Sequence, residues 1–138
     1  VGQGAREAAE AGALQGFPLQ DVEAVLTGAA WREGASRPFA YKVATAEAVR
    51  AAAARARPVL LQPVMRIEVV APSESLGEVL GSLDKRRGAI LDVADRGPTK
   101  VIQAEAALQR MFGYATELRS LTQGRAVFTM SFARYDAA

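Results

Sequence analysis

The spacing of hydrophobic and polar positions changes character near residue 60, and the second half is the more regular. Met65, Ile67 and Val69 alternate with Arg66 and Glu68, the period of a half-buried strand. Leu76, Val79, Leu80 and Leu83 then recur at helical spacing. Pro72-Ser73-Glu74-Ser75 opens that helix, Ser75 with Glu78 matching a capping box, and Gly88 is placed to end it in the left-handed conformation. Ala89–Asp95 predicts a second strand, Arg96-Gly97-Pro98 a turn, and Val101–Leu108 a third strand. Met111, Phe112, Ala115 and Leu118 predict the buried stripe of a second helix, after which Phe128, Met130 and Phe132 alternate with Thr129 and Ser131 in a last strand. The order β-α-β-β-α-β is that of the split βαβ, ferredoxin-like fold: an α+β sandwich with two helices on one face of a four-stranded antiparallel sheet.

The first half is less complete. Residues 4 to 11 are mostly strong helix formers and Gly12 is a stop. Gly16-Phe17-Pro18 reads as a turn, Leu19–Leu26 as a strand with Val22, Ala24 and Leu26 on one face, and Thr27–Ser36 as a loop around Trp31-Arg32-Glu33. Pro38 suits the first turn of a helix running to about Ala56, with Phe39, Val43, Ala46 and Val49 as its stripe. One strand among helices has no partner for its backbone groups. The segment therefore reads as an incomplete α/β piece whose apolar face is exposed unless a second copy covers it in a dimer. The chain starts at Val1 and not at Met, which favours a piece of a longer protein. The predicted division is residues 1–57, a connector at 58–63 around Pro58 and Pro63, and residues 64–138.

Composition narrows the chemistry. Half of the 138 residues are hydrophobic and 23% are charged, which is globular. The longest uncharged stretch, Ala11–Gln20, is too short and too polar for a membrane span, and the N-terminal residues lack the pattern of a signal peptide. Cysteine and histidine are absent. That excludes disulfides, thiolate or imidazole metal sites, cysteine nucleophiles and serine–histidine triads. No GxxxxGK[ST] loop occurs, and no GxGxxG follows a strand, so no nucleotide site is evident. Asp92 and Asp95 fall on opposite faces of a strand and read as solvated edge charges. No catalytic, cofactor-binding or metal-ligating residue is predicted.

The net charge of +2 (17 basic, 15 acidic) says little, but between Ser82 and Arg125 eight basic residues face five acidic ones. Lys85-Arg86-Arg87-Gly88 is the sharpest cluster. It reads as a helix C-terminus, where cations meet the dipole, and this leaves room for contact with phosphates. Trp31 beside Arg32 either folds back on its own domain or meets a partner. Met111-Phe112-Gly113-Tyr114-Ala115 offers a stacking platform or, better, a buried stripe in which Gly113 allows close packing. The third strand carries no aromatic residue on which a base could stack.

Three runs carry a resemblance: Arg57-Pro58-Val59-Leu60-Leu61-Gln62-Pro63-Val64-Met65, Gly81 to Gly88, and the fifteen residues from Met111 to Arg125. They closely resemble the C-terminal part of bacterial elongation factor G. Gly12 to Pro18 is similar to the segment entering the central strand of domain IV in that family. The resemblance implies that residues 1–57 are the second half of domain IV and residues 64–138 are domain V. It implies a cytoplasmic parent that drives translocation of tRNA and mRNA on the ribosome, with GTP and Mg bound to an upstream G domain. The partner implied is ribosomal RNA of the decoding region and the GTPase-associated centre, met through phosphate contacts. Trp31, Arg32, Lys85, Arg86, Arg87 and Arg125 are the residues placed to make them.

One departure stands out. Trp31 and Arg32 take the places of a Tyr-His pair at the family's domain IV tip, and Ala35, Arg37 and Pro38 replace residues that are usually acidic or serine. This keeps open a diverged paralogue acting in ribosome recycling or ribosome protection. A different class, a free-standing ferredoxin-like ligand-binding or oligomerisation module, predicts an apolar pocket with convergent polar groups, for which the sequence offers no feature.

Overall fold

A computed structural model describes residues 1–34 and 36–138, which form two compact units, Val1–Leu60 and Leu61–Ala138. Ala35 lies outside the described residues.

In the first unit α1 (Gly2–Ala11) packs on α2 (Pro38–Arg55). Only Gly4 and Ala8 of α1 are buried, so the helices meet through small residues. A Cβ on Gly4 would overlap the carbonyl oxygen of Lys42. Glycine is therefore required at this crossing. The approach also decides which face of α2 turns inward: Lys42, Thr45, Ala46, Val49 and Ala53 are half-buried. Ala46 and Val49 belong to the predicted stripe, but Phe39 and Val43 are exposed, because contact centres on the Lys42 backbone. Lys42 Nζ reaches Glu7 at 3.0 Å across the pair.

The strand predicted at Leu19–Leu26 does not form. Leu19 donates its N–H to the Ala9 carbonyl at 2.8 Å, and no ladder involves the rest of the segment among the described residues. A strand needs a neighbour, and this unit supplies none. Phe17, Val22, Val25, Leu26 and Phe39 are left exposed.

The second unit is a four-stranded antiparallel sheet of β1 (Leu61–Pro72), β2 (Ala89–Arg96), β3 (Thr99–Ala107) and β4 (Val127–Ala137), in the order β2-β3-β1-β4. Helices α3 (Leu76–Lys85) and α4 (Tyr114–Thr122) complete the ferredoxin-like βαββαβ order. Ile67, Val69 and Ala71 on β1 and Ile102, Ala104 and Ala106 on β3 face Val79, Leu83, Met111, Tyr114 and Leu118 in one core. Burial of these apolar side chains is the main stabilising contribution. Leu61, Gln62 and Pro63, read above as connector, are the first residues of β1. There β1 pairs only with β4, so Pro63 sits where a missing N–H is tolerated.

Three local expectations fail for identifiable reasons. The capping box at Ser75 and Glu78 is not made: residues 73–75 are already wound as a 3₁₀ turn and Ser75 is buried. The Ser73 N–H and hydroxyl hold this end through the Pro98 carbonyl instead, at 3.1 and 3.0 Å. At the other end of α3 the left-handed residue is Arg87 (φ 54°), not Gly88. The Arg87 N–H bonds the Asp84 carbonyl at 2.8 Å and the Gly88 N–H that of Leu83 at 2.9 Å, a Schellman motif with arginine in the usual glycine place. Finally, α4 begins at Tyr114, after a 3₁₀ turn at Leu108–Arg110 and a left-handed Gly113 (φ 78°). The helix phase therefore starts at Tyr114, burying Tyr114, Leu118 and Thr122 and leaving Phe112 and Ala115 exposed. A Cβ on Gly113 would touch nothing within 4 Å, so its role is the reversed φ and not close packing.

Candidate nucleic-acid interface

The end of α3 gathers three of the singled-out cations, and they divide by surroundings. Lys85 and Arg87 are exposed and free of ion pairs among the described residues. Arg86 points inward. Its Nε and one terminal nitrogen donate to Glu117 Oε2 at 3.0 and 2.7 Å, and the other terminal nitrogen donates to the carbonyls of Arg110 and Phe112 at 2.5 and 3.0 Å. The guanidinium also lies 5.2 Å from the centroid of the Tyr114 ring. A planar fork using four of its five N–H donors ties α3, α4 and the turn before α4 together.

Arg125 lies elsewhere. It follows α4 and pairs with Glu74 at 2.6 Å, while its Nε reaches the Thr122 carbonyl at 3.3 Å. Glu74 precedes α3, so Arg125 belongs to the opposite end of that helix from Lys85 and Arg87, roughly 15 Å away at 1.5 Å per residue.

In the first unit Trp31 folds back on its own domain only in part. Its ring lies parallel to Tyr41 (3° between planes, centroids 5.9 Å apart) yet remains 69% exposed. The Tyr41 hydroxyl donates to the Ala30 carbonyl at 2.7 Å, fixing the loop to the start of α2. Arg32 is exposed beside it, its N–H bonded to Ser36 Oγ at 2.8 Å.

The sequence alone does not bring two further groupings together, although it offers Phe112 for stacking as one alternative. On the sheet face opposite the core, Glu105 accepts from Arg134 at 2.7 Å and from Arg66 at 3.0 Å. The Arg134 bond, then Arg66, outweighs desolvation and holds the Glu105 carboxyl below the usual range. The register that places Arg66 opposite Glu105 was not deducible without the strand order. The second grouping is Phe112 with Arg110, whose exposure followed only from the late start of α4. Asp95 is exposed, as read, and is also ion-paired with Lys100.

An open apolar groove of about 760 Å³ lies within the first unit, lined by Leu19, Val22, Val25, Ala48 and Val49 among others. Its hydroxyls turn to their own backbone, Thr45 donating to the Tyr41 carbonyl at 2.6 Å and Tyr41 to Ala30. They do not converge as the polar groups of a ligand pocket do. Among the described residues no three acidic side chains gather as a metal site, and no helix is long and apolar enough to cross a membrane.

Residues 1–57 match the family described as elongation factor G, domain IV, and residues 59–138 match elongation factor G C-terminus. The chain is also similar to a crystal structure of a Thermus thermophilus protein, at 36% identity and a TM-score of 0.91. That alignment covers 99% of this chain and 21% of the other, so the chain spans about a fifth of its length. Matched along both units in their family order, the chain belongs to the elongation factor G family.

Proposed function

We propose that this chain is the ribosome-facing portion of a cytoplasmic translational GTPase, supporting GTP-dependent movement of tRNA and mRNA. Its own residues do not fit a nucleotide or Mg: the sequence lacks a phosphate loop, and acidic side chains do not cluster among the described residues. GTP and Mg belong, in this reading, to a G domain of the parent. No chemical step falls to this chain, which binds and positions.

The observation that carries the reading is the end of α3, where Lys85 and Arg87 project without ion pairs among the described residues, beside an Arg86 held by Glu117 and two carbonyls. Unpaired cations on a rigid corner suit the phosphates of ribosomal RNA, which set position without reading sequence. The Trp31–Arg32 tip is a further contact in this reading, and Arg125 another that would exchange its Glu74 partner for a phosphate. Charge reversal at Lys85 and Arg87 in the full-length parent is expected to weaken ribosome binding and flatten its salt dependence. Unchanged binding across a salt series would reduce the cluster to a helix cap.

Trp31 and Arg32, standing where the family's domain IV tip carries a Tyr-His pair, favour a second reading, a paralogue acting in ribosome recycling or protection. A translocation assay run beside a ribosome-splitting assay separates the two.

A further inference from the structure

Phe112 is 72% exposed, yet the turn that carries it is held firmly. Its own carbonyl and that of Arg110 accept from Arg86, while Gly113 supplies the left-handed φ that the turn needs. Arg86 is anchored in its turn by Glu117 and by the ring of Tyr114, which is wholly buried. The backbone under Phe112 is thus fixed, and its ring stacks on no other aromatic among the described residues. Ordering an aromatic in advance removes most of the entropy cost of a later contact.

The surroundings identify the partner. Lys85 and Arg87 flank Arg86 in the chain, Arg110 shares the clamped turn, and all three are exposed and without ion pairs among the described residues. Asp84 is the one exposed acid in the same stretch. Met111 and Tyr114, on either side of the turn, are buried, so the turn offers a single apolar ring, with Arg110 on the same turn and Lys85 and Arg87 adjoining the arginine that clamps it. A protein partner of ordinary interface size calls for a broader apolar patch. One unstacked base, with phosphates on both sides, calls for this arrangement.

We propose that Phe112 stacks on one unpaired base of an RNA, that Lys85, Arg87 and Arg110 meet the flanking phosphates, and that Arg86 is the positioning residue that presents the ring. The inference rests on the ribosome-contacting reading above and adds to it a base contact.

The test measures binding of the 138-residue chain to ribosomes and to a short stem-loop RNA carrying 2-aminopurine in an adenine-rich loop. The expected result is quenching of the 2-aminopurine by the unaltered chain and by Phe112→Trp. Phe112→Ala is expected to bind about tenfold more weakly without quenching, its salt slope unchanged. Arg86→Lys, which keeps the charge and loses the fork, is expected to keep the salt slope and lose the quench. Equal affinity and quenching for Phe112→Ala overturns the inference. Weaker ribosome binding by Phe112→Ala with no stem-loop binding by any form would assign the ring to a ribosomal protein, overturning the inference while the ribosome reading stands. Failure of the unaltered chain to bind either probe removes both.

Discussion

The hydroxyls of Ser82 and Tyr114 lie 3.0 Å apart in the core of the second unit, joining α3 to α4. Ser82 Oγ donates its proton to the Val79 carbonyl at 2.7 Å, so the Tyr114 hydroxyl is the donor of the shared bond. Burial pushes the Tyr114 pKa up, because a phenolate there would lose its water, and Glu117 adds to the rise against Ser82 and Arg86.

The sign of the pH effect follows. An unfolded tyrosine ionises near pH 10 and the folded one above it, so the contribution of Tyr114 is complete below about pH 10. It is lost as pH rises through the raised value. Tyr114→Phe is expected to be about 1 kcal/mol less stable at neutral pH. That gap should close in denaturant melts carried above pH 10. A gap that stays constant would contradict the donor assignment.

Arg87→Gly is expected to stabilise the second unit by about 1 kcal/mol, since glycine enters the left-handed region without the Cβ penalty. For a domain of this size that raises Tm by several degrees. The same change removes an exposed cation and should weaken ribosome association. Higher Tm together with weaker binding would show that a contact is kept at the expense of backbone strain. Higher Tm with unchanged binding would leave the arginine unexplained.

At the crossing of α1 and α2, Gly4→Ala should cost about 2 kcal/mol or more, because its Cβ meets the Lys42 carbonyl and the helices must part. Gly2→Ala is the control: it meets nothing within 4 Å and should leave the unit as stable or more so. Far-UV circular dichroism during thermal melting distinguishes them. Equal behaviour would show that the helices pass elsewhere.

Glu105→Gln tests the network on the open sheet face. With its pKa lowered by Arg134 and Arg66, the Glu105 carboxylate stabilises the fold above the ordinary carboxylate pKa of about 4.3. This contribution fades as pH falls through the lowered value. The Tm difference between the two forms is expected to hold from neutral pH to about 5 and to shrink below about 4. A difference that does not depend on pH would mean the charge of Glu105 is immaterial.

The ferredoxin-like order could be read from the chain because β1 alternates cleanly and Leu76–Leu83 keep a helical stripe. Strand β4 alternates in sequence but packs only Phe128 against the core and leaves Met130 and Phe132 exposed. Reading failed where backbone geometry overrides side-chain pattern. Nothing in the spacing from Met111 to Leu118 shows that Gly113 delays the helix, and that delay alone turns Phe112 outward. In Lys85-Arg86-Arg87 the three cations look alike as a run, yet the helix termination sends Arg86 to Glu117 and gives Arg87 the left-handed position. The strand expected at Leu19–Leu26 had the correct alternation and no neighbour, and a pleat without a partner is not a strand. Trp31 stands out in its loop of small residues, but its Tyr41 partner lies across a loop that no local pattern spans.

Leu61 and Ala137 stand opposite each other in the β1–β4 register. A load applied between these two points would peel the ladder apart one rung at a time, starting at that corner, where a sliding load would strain every rung together. The unit is therefore mechanically soft to traction at that corner.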